Sequence, residues 1–295
     1  MVAFFDYKKD MQYIVQRTIM GCYNSHPSVL ERYAGEALAY RADISNETTS
    51  IYISPKKTLW KVCQGEPPAI RLTFMNNYRV QHLPPSPWIV RPQKLLQISQ
   101  TKLAVSMVCH PTDLFNYTSS IFDLKYVLEG MCGVAQGIAF LHSKGLAHRD
   151  IKPENIVVGA NNFGLIDFDF TSPLTERVHC GTPRYIVPLS ISDNWDCSNR
   201  TRSIRYDTYA YGKTIIHLFY RAALMGMICP VDFIACIYHK QGVLEGIKNP
   251  YDGDIGGWFD VALRCCQREP VLETFSTTNN TVDTLEVVYT DNTPT

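Results

Sequence analysis

Between Ile121 and His142 the apolar residues Val127, Leu128, Met131, Val134, Ala135, Ile138 and Leu141 recur at spacings of three and four. That period builds an amphipathic helix with one apolar face, which must be buried against something. The helix leads into a polar loop, LAHRDIKPENIVVG at 146–159, and then into the apolar run FGLID at 163–167. Short strand pieces therefore follow it directly. Further helical periods lie at about 207–225, 231–246 and 255–268. The front of the chain reads differently. From about Glu36 to Val108 the runs ALAYRADIS, TSIYIS, TLWKVC, LLQIS and KLAVSMV are short, apolar and rich in β-branched residues, with turn-like Ser-Asn and Ser-Pro pairs between several of them. One segment between strands, Ile70 to His82, fits a helix that the PPSP run at 84–87 stops. The expectation is an α+β chain. It has an N-terminal extension at 1–30, a small β-rich front at 31–107, a larger helical back at 108–272 and a disordered, Thr- and Asn-rich tail at 273–295. A joint near 107–111 would leave a ligand crevice between two lobes.

A chain of 295 residues, 45% of them apolar, can bury a sizeable core. Lys+Arg and Asp+Glu both total 28, for a formal net charge of +0, so bulk charge predicts neither a nucleic-acid partner nor an anionic membrane. The first residues, MVAFFDYKKD, lack the basic and apolar regions of a secretion signal. The stretch IIHLFYRAALMGMICP is interrupted by His217 and Arg221 and is too short to span a bilayer. The ten cysteines show no C-x-x-C and no zinc-type spacing, and His179–Cys180 has no further ligands at usable distance in sequence. They are expected as reduced, small apolar residues of a cytoplasmic or nuclear protein that is not secreted.

Asp150 stands in the loop after the long helix, with Lys152 two positions on, Asn155 five positions on and Asp167 at the end of the next apolar strand. A carboxylate to accept a proton, a lysine to balance negative charge and two oxygen ligands suit a Mg–phosphate site. Mg2+ takes hard oxygen ligands and shares them with substrate phosphates, and phosphoryl transfer needs positioning and charge neutralisation above all. HRDIKPEN at 148–155 resembles the catalytic loop of eukaryotic-type protein kinases, in the form with Lys152 that is similar to the serine/threonine class. Asp167-Phe168 resembles the start of their D-F-G motif. CGTPRYIVP at 180–188 resembles the segment that docks the substrate hydroxyl, and DTYAYG at 207–212 the helix start that braces the catalytic loop. TLWKVC at 58–63 is similar to the strand that carries the ATP lysine, and LAVSMVCHPTDLFNY at 103–117 to the passage beside adenine. The resemblance spans about residues 33–270 and implies a two-lobed protein kinase fold.

It also implies roles. Asp150 would orient the substrate hydroxyl and accept its proton, and Lys152 would face the γ-phosphate. Asn155 and Asp167 would hold Mg2+. Lys61 would hold the α- and β-phosphates of ATP, with Gly35 and Ala37 in the phosphate loop. The backbone of Met107 and Cys109 would meet adenine, with Ser106 at the back of that pocket. Thr182 would position the acceptor, while His148 and Asp207 would be structural braces. The implied activity is ATP- and Mg2+-dependent transfer to Ser/Thr of protein substrates. A stripped kinase with degraded front-lobe motifs is similar to those encoded by large DNA viruses, which would place it in the cytoplasm or nucleus of a host cell.

The chain also departs from the family pattern. AGEALAYRA at 34–42 carries one glycine where the family has G-x-G-x-x-G, and its alanines lose the freedom of positive φ. No Asp or Glu stands between Pro67 and Thr112, so the helix glutamate that pairs with the lysine is missing. Its position falls near Asn77, an amide that would pair more weakly. Asp169 replaces the D-F-G glycine. Leu189 stands for the glutamate of A-P-E and Glu273 for its arginine partner. Losing both can be near neutral, where losing one would cost about 3–5 kcal/mol. Thr171, Ser172 and Thr175 are candidate phosphosites, with Arg149 as the partner for a phosphate. Two other readings stay open: a pseudokinase binding module, and a small-molecule kinase of the aminoglycoside type, which usually lacks a GTPRY-like segment.

Overall fold

The computed structural model describes residues 27–159, 162–195, 197–276 and 281–284. These form two compact units. The smaller takes 27–83 and 91–109, and the larger takes 84–90 and the described residues from 110 on. The division expected at 107/108 thus falls at 109/110, and 84–90 joins the larger unit. The reason is backbone pairing. Leu165 N donates to Trp88 O at 2.9 Å and Val90 N to Leu165 O at 3.0 Å.

The smaller unit begins with helix α1 (Pro27–Ala34), which starts inside the expected extension. Five antiparallel strands follow: β1 (Ala39–Tyr40), β2 (Thr49–Ile53), β3 (Thr58–Gln64), β4 (Lys94–Ser99) and β5 (Lys102–Val108), in the order β1-β2-β3-β5-β4. Leu30, Trp60, Leu96 and Ala104 pack as one buried cluster. Helix α2 (Pro67–Gln81) opens with prolines where no N–H donor is needed, and packs on β4 and β5. ALAYRADIS does not form one strand. After β1 the chain makes a single 3-10 turn at Ala42–Ile44, held by Arg41 Nε donating to Asp43 Oδ1 at 2.8 Å and Ser45 Oγ to Arg41 O at 2.7 Å. The loop that joins β1 to β2 is therefore 41–48, which contains no glycine. Gly35 and Ala37, expected in a phosphate loop, lie ahead of β1. Gly35 (φ +71) donates its N–H to Glu31 O at 2.8 Å and is the left-handed residue that ends α1.

The larger unit contains α3 (Leu114–Tyr117), α4 (Leu124–Ser143), β6 (Leu146–Ala147), β7 (Ile156–Val158), β8 (Phe163–Leu165), β9 (Ser172–Pro173), α5 (Leu189–Ser192), α6 (Asn199–Leu224), α7 (Val231–His239), α8 (Gly253–Cys265), β10 (Glu273–Ser276) and β11 (Thr281–Thr284). The seven apolar residues that define α4 are all buried, none more than 1% exposed. Burying each of them except Ala135, which has only a methyl, contributes about 1.5–3 kcal/mol. Asp123 caps the helix by accepting from Tyr126 N at 3.1 Å. Among the described residues α4 alone is long and apolar enough to cross a membrane, and half of that stretch is buried in this unit. α6 starts at Asn199, well before the apolar period begins, because Ser198 caps it by accepting from Thr201 N at 3.2 Å. α7 stops at His239, where buried Lys213 gathers the last carbonyls. Cys265 and Cys266 are buried thiols whose pKa burial pushes up, which keeps them unreactive.

Part of the expected disordered tail is ordered. β10 and β11 pair antiparallel from Glu273↔Thr284 to Ser276↔Thr281, and β10 packs on α8 and α4. Thr274 Oγ1 lies 3.1 Å from Cys132 Sγ. Threonine is polar in composition yet β-branched, so it suits a strand. The remainder of the tail, 285–295, and residues 1–26 of the extension lie outside the described residues.

Gly212 lets α6 touch α8. A Cβ there would meet Cys265 Cβ and Cys266 Sγ at 2.7 Å and Ala262 O at 2.9 Å. Gly212→Ala is expected to cost about 1–3 kcal/mol and to lower the melting temperature by several degrees in a thermal scan. An unchanged melt would mean that the two helices part without cost.

Candidate active site

The loop between β6 and β7 is shaped by one buried carboxylate. Asp207, on α6 and 1% exposed, accepts from His148 N (Oδ2, 2.8 Å) and Arg149 N (Oδ1, 2.8 Å), and its Oδ2 lies 2.9 Å from His142 Nε2. Burial alone would raise this carboxyl. The His142 contact and the backbone donors outweigh burial and hold Asp207 below the usual carboxylate range. His142 was not anticipated from the sequence. Its signal is a histidine in the last turn of α4, on the face that carries Leu141 and Ile138 inward. His148 Nε2 lies 3.0 Å from Ile166 O, which only accepts, and Nδ1 lies 3.3 Å from Asp150 N, which only donates. The ring is therefore the neutral Nε2–H tautomer. Its edge meets the buried Phe168 ring at a centroid distance of 5.3 Å.

Asp150 is 6% exposed and ringed by donors. Oδ1 accepts from Thr182 N at 2.9 Å and Thr182 Oγ1 at 2.8 Å. Oδ2 accepts from Asn155 Nδ2 at 2.9 Å and lies 2.8 Å from Lys152 Nζ. Lys152 Nζ also donates to Thr182 Oγ1 at 2.7 Å. Three residues picked from the sequence, Thr182, Asn155 and Lys152, thus converge on the carboxylate of a fourth, Asp150. Asn155 spends its amide nitrogen on Asp150, which leaves Oδ1 as its ligand atom. Ile166 N donates to Asn155 O at 3.0 Å, and Ile156 pairs with Leu165, so Asp167 is the next residue after the one bonded to Asn155. An amide oxygen and a carboxylate are hard donors that fit Mg2+. Among the described residues no three His, Cys, Asp or Glu gather as a metal cluster. Water and substrate phosphates would complete such a shell.

Backbone strain is concentrated here. Among the described residues outside glycine, φ is positive only at Lys57, Arg149 (+69) and Asp167 (+62). Such conformations cost about 1–3 kcal/mol each and persist only where the surroundings enforce them. Asp169 is not among them. It sits in a turn closed by Thr171 N donating to Phe168 O at 3.1 Å, so a glycine is not needed at that position. Gly181 is different: its φ is +118, and a Cβ there would run into Arg149 O.

Arg149 does not await a phosphate. Its guanidinium is 5% exposed and surrounded by neutral oxygens: Ser172 Oγ at 2.5 Å, Glu176 O at 2.9 Å, Val178 O at 3.0 Å, and Pro173 O and Ser203 Oγ at 3.1 Å. Thr171 and Ser172, expected as phosphosites, are buried, and Thr175 is exposed. The A-P-E ion pair expected to be lost is absent among the described residues, and other bonds hold this region. Leu189 is 49% exposed, and Glu273 lies 3.6 Å from Arg264. Arg202 donates to Ser192 O and, at 3.0 Å, to Trp195 O, while Trp195 Nε1 donates to Arg268 O at 2.6 Å.

In the smaller unit Lys61 sits mid-strand on β3, paired with Ile51 and Val105. Helix α2 carries two consecutive buried amides, Asn76 and Asn77, and Asn77 Nδ2 donates to Thr73 O at 2.9 Å. Met107 is buried opposite Leu59. Ser106 is fully buried, and its Oγ accepts from Lys94 N at 3.0 Å. Cys109, whose backbone is expected to meet adenine, donates its N–H to Lys57 O at 2.8 Å.

A five-stranded antiparallel unit and a helical unit holding this loop define the protein kinase fold. A family model described as the protein kinase domain matches residues 69–229, more than half of the chain, and the chain belongs to that family. Its relatives include the Caenorhabditis elegans serine/threonine-protein kinase kin-29, 29% identical over 177 residues, covering 56% of this chain and 20% of the relative. A protein of Acanthamoeba polyphaga mimivirus that carries a serine/threonine-protein kinase name is 30% identical over 120 residues, 39% of this chain and 41% of the relative. A Drosophila persimilis serine/threonine-protein kinase is 41% identical over 148 residues, 46% of this chain and 18% of the relative. The chain spans about a fifth to two fifths of the length of these relatives.

Two outcomes follow from this geometry. Thr175→Ala should leave any phosphate transfer within about twofold, as for a surface change, because Arg149 is already filled. A rate collapse on Thr175→Ala or on phosphatase treatment would contradict that. Asp207→Asn should destabilise the fold, since each backbone N–H left unpaired costs about 1–3 kcal/mol. The folded value of Asp207 lies below the unfolded value of about 3.9. Its contribution is therefore present above about pH 4 and is lost as pH falls through the lowered folded value. Denaturant melts at neutral and acidic pH should show the deficit shrinking on acidification.

Proposed function

We propose that the chain transfers the γ-phosphate of ATP to serine or threonine hydroxyls of protein substrates, with Mg2+. The observation that carries this reading is the Asp150 carboxylate, whose oxygens are shared by Thr182, Asn155 and Lys152. A substrate hydroxyl would take the place of Thr182 Oγ1, whose rotor can turn away. Thr182 N would keep Oδ1 aimed. As the substrate oxygen bonds to the γ-phosphorus, the bond to the β–γ bridging oxygen breaks, ADP leaves, and Asp150 accepts the hydroxyl proton. Lys152, within reach of the same carboxylate, would offset charge on the transferring oxygens. Asn155 Oδ1 and Asp167 would hold Mg2+, which supplies charge neutralisation on the phosphates. Lys61 is the candidate for the α- and β-phosphates. Adenine would meet Met107 and the carbonyl side of Cys109, because the Cys109 N–H is committed to Lys57 O.

Lys152 in the loop and the names of the relatives support serine/threonine over tyrosine acceptors. The mimivirus relative fits an origin in a large DNA virus, with a workplace in the host cytoplasm or nucleus. A rival reading, a binding module without transfer, draws on the glycine-free 41–48 loop and on the bond that closes the Cys109 N–H.

The test is labelled phosphate transfer from Mg–ATP to generic protein acceptors, wild type beside Asp150→Asn. Removing the positioned carboxylate should slow transfer by about 10²–10⁴. No transfer by either protein, or equal transfer by both, would replace this reading with the binding module.

A further inference from the structure

Beside Thr182 the larger unit has a recess lined by Thr182, Arg184, Tyr238, His239, Lys240 and Gln241. No carboxylate lines it. Arg184 and Lys240 are exposed, and neither takes part in the ion pairs of the described residues. The Arg184 guanidinium lies over the Tyr238 ring at 4.5 Å, a cation–π contact that holds it on the recess wall. Below is Lys213, 1% exposed, whose Nζ donates to Lys240 O at 3.0 Å, Tyr238 O at 3.1 Å and Ile237 O at 3.4 Å. All three acceptors are neutral carbonyls. Burial pushes Lys213 down from its usual range, and the nearby Arg184 charge adds to that. Arg184 and Lys240 therefore share a recess with no carboxylate in its lining, with Asp150 held behind Thr182.

Both walls are held in place. Lys213 ties down the end of α7, which carries His239 and leads into Lys240. Tyr185 OH and Tyr238 OH both lie 3.1 Å from His217 Nδ1, so one buried network joins the 182–185 segment to α7. Burial pushes His217 down to about 4, so it is neutral, and the single Nδ1 lone pair is shared between the two hydroxyls. Thr182 belongs to both places, since it bonds Asp150 Oδ1 and lines the recess. Glu154, whose charge is felt at Tyr185, does not line it.

We infer that this recess is a specificity subsite for an anionic side chain of the protein substrate, a carboxylate or a phosphate, close to the acceptor hydroxyl. The inference rests on the transfer reading above for its acceptor. An anion seated there would take charge-assisted hydrogen bonds from Arg184 and Lys240, which are the stronger kind. The field of Lys213 would act from behind.

The experiment measures binding and transfer in parallel. Labelled peptides with one serine, flanked on either side by glutamates, phosphoserines, glutamines or lysines, are titrated by anisotropy without nucleotide, then used as acceptors with Mg–ATP. The glutamate or phosphoserine peptide should bind about tenfold more tightly than the glutamine peptide, a difference of one charged contact. The preference should shrink with added salt and lie in KM more than in kcat. Arg184→Ala with Lys240→Ala should erase it, and Arg184→Glu with Lys240→Glu should turn it toward the lysine peptide, each with an unchanged melt. Phosphoserine ahead of glutamate identifies a pre-phosphorylated substrate, and equality identifies an acidic one. Acid-selective binding without transfer would keep the subsite and remove the transfer reading. Transfer without acid preference, or a preference that survives both double variants, would overturn the subsite and leave transfer standing.

Discussion

Two consecutive backbone N–H groups, those of His148 and Arg149, point into one carboxylate inside the larger unit. Asp207 receives both at 2.8 Å, and His142 stands against it from α4. The loop could not otherwise keep Arg149 in the left-handed region, where a side chain is unfavourable. From that fixed backbone hang Asp150, Lys152 and Asn155. The arrangement ties three elements together, because Asp207 belongs to α6, His142 to α4 and the loop to the β6–β7 connection. A charged acceptor is suited to the task. A carboxylate offers about four lone-pair positions, enough for three donors without leaving a buried N–H unpaired.

Elsewhere this chain has exchanged ionic braces for neutral ones. Arg149 and Arg202 are both buried, Arg149 held by carbonyl and hydroxyl oxygens and Arg202 by the carbonyls of Ser192 and Trp195. An ion pair in such a place must recover the desolvation of two groups. A cation ringed by carbonyls has only its own to recover. Residues 172–178 supply most of the ring around Arg149, so the fold of that segment and the burial of the arginine are one event. The short β6–β9 pairing at Leu146↔Pro173 and Ala147↔Ser172 adds a second anchor. Trp195 bonds the A-P-E region to Arg268 through one indole N–H.

A neutral total charge hides this redistribution. With 28 residues of each sign the chain has no net field, yet cations held by carbonyls are not cancelled locally. Arg184 and Lys240 line the recess beside Thr182, and Lys213 is bonded to the carbonyls of its Tyr238 and Lys240 wall. Lys213 is there to end α7 on its carbonyls, and its charge is a consequence of that structural task.

How much could be read before folding depends on how local each signal is. The helical period of α4 and the residues 148–155 are local, and α4 buried all seven of its predicted residues. HRDIKPEN named Asp150, Lys152 and Asn155, and GTPRY named Thr182. Their convergence on one carboxylate followed, although Thr182 lies 32 positions from Asp150. Other features needed partners distant in sequence. Gly35 reads as a loop glycine, but its φ and its bond to Glu31 make it a helix stop. Residues 273–284 read as a polar tail, but α8 and α4 provide the surface on which threonines make a hairpin. Arg149 reads as a phosphate receiver until 172–178 close over it. His142 and Lys213 carry no motif at all. The sequence by itself determined which residues gather at Asp150, because Asp150, Lys152 and Asn155 stand at close spacing along the chain and Thr182 in its own short motif. Only the tertiary structure decided which charges stay open to a ligand and which are already spent, because burial and hydrogen-bond partners are set by contacts that spacing does not encode.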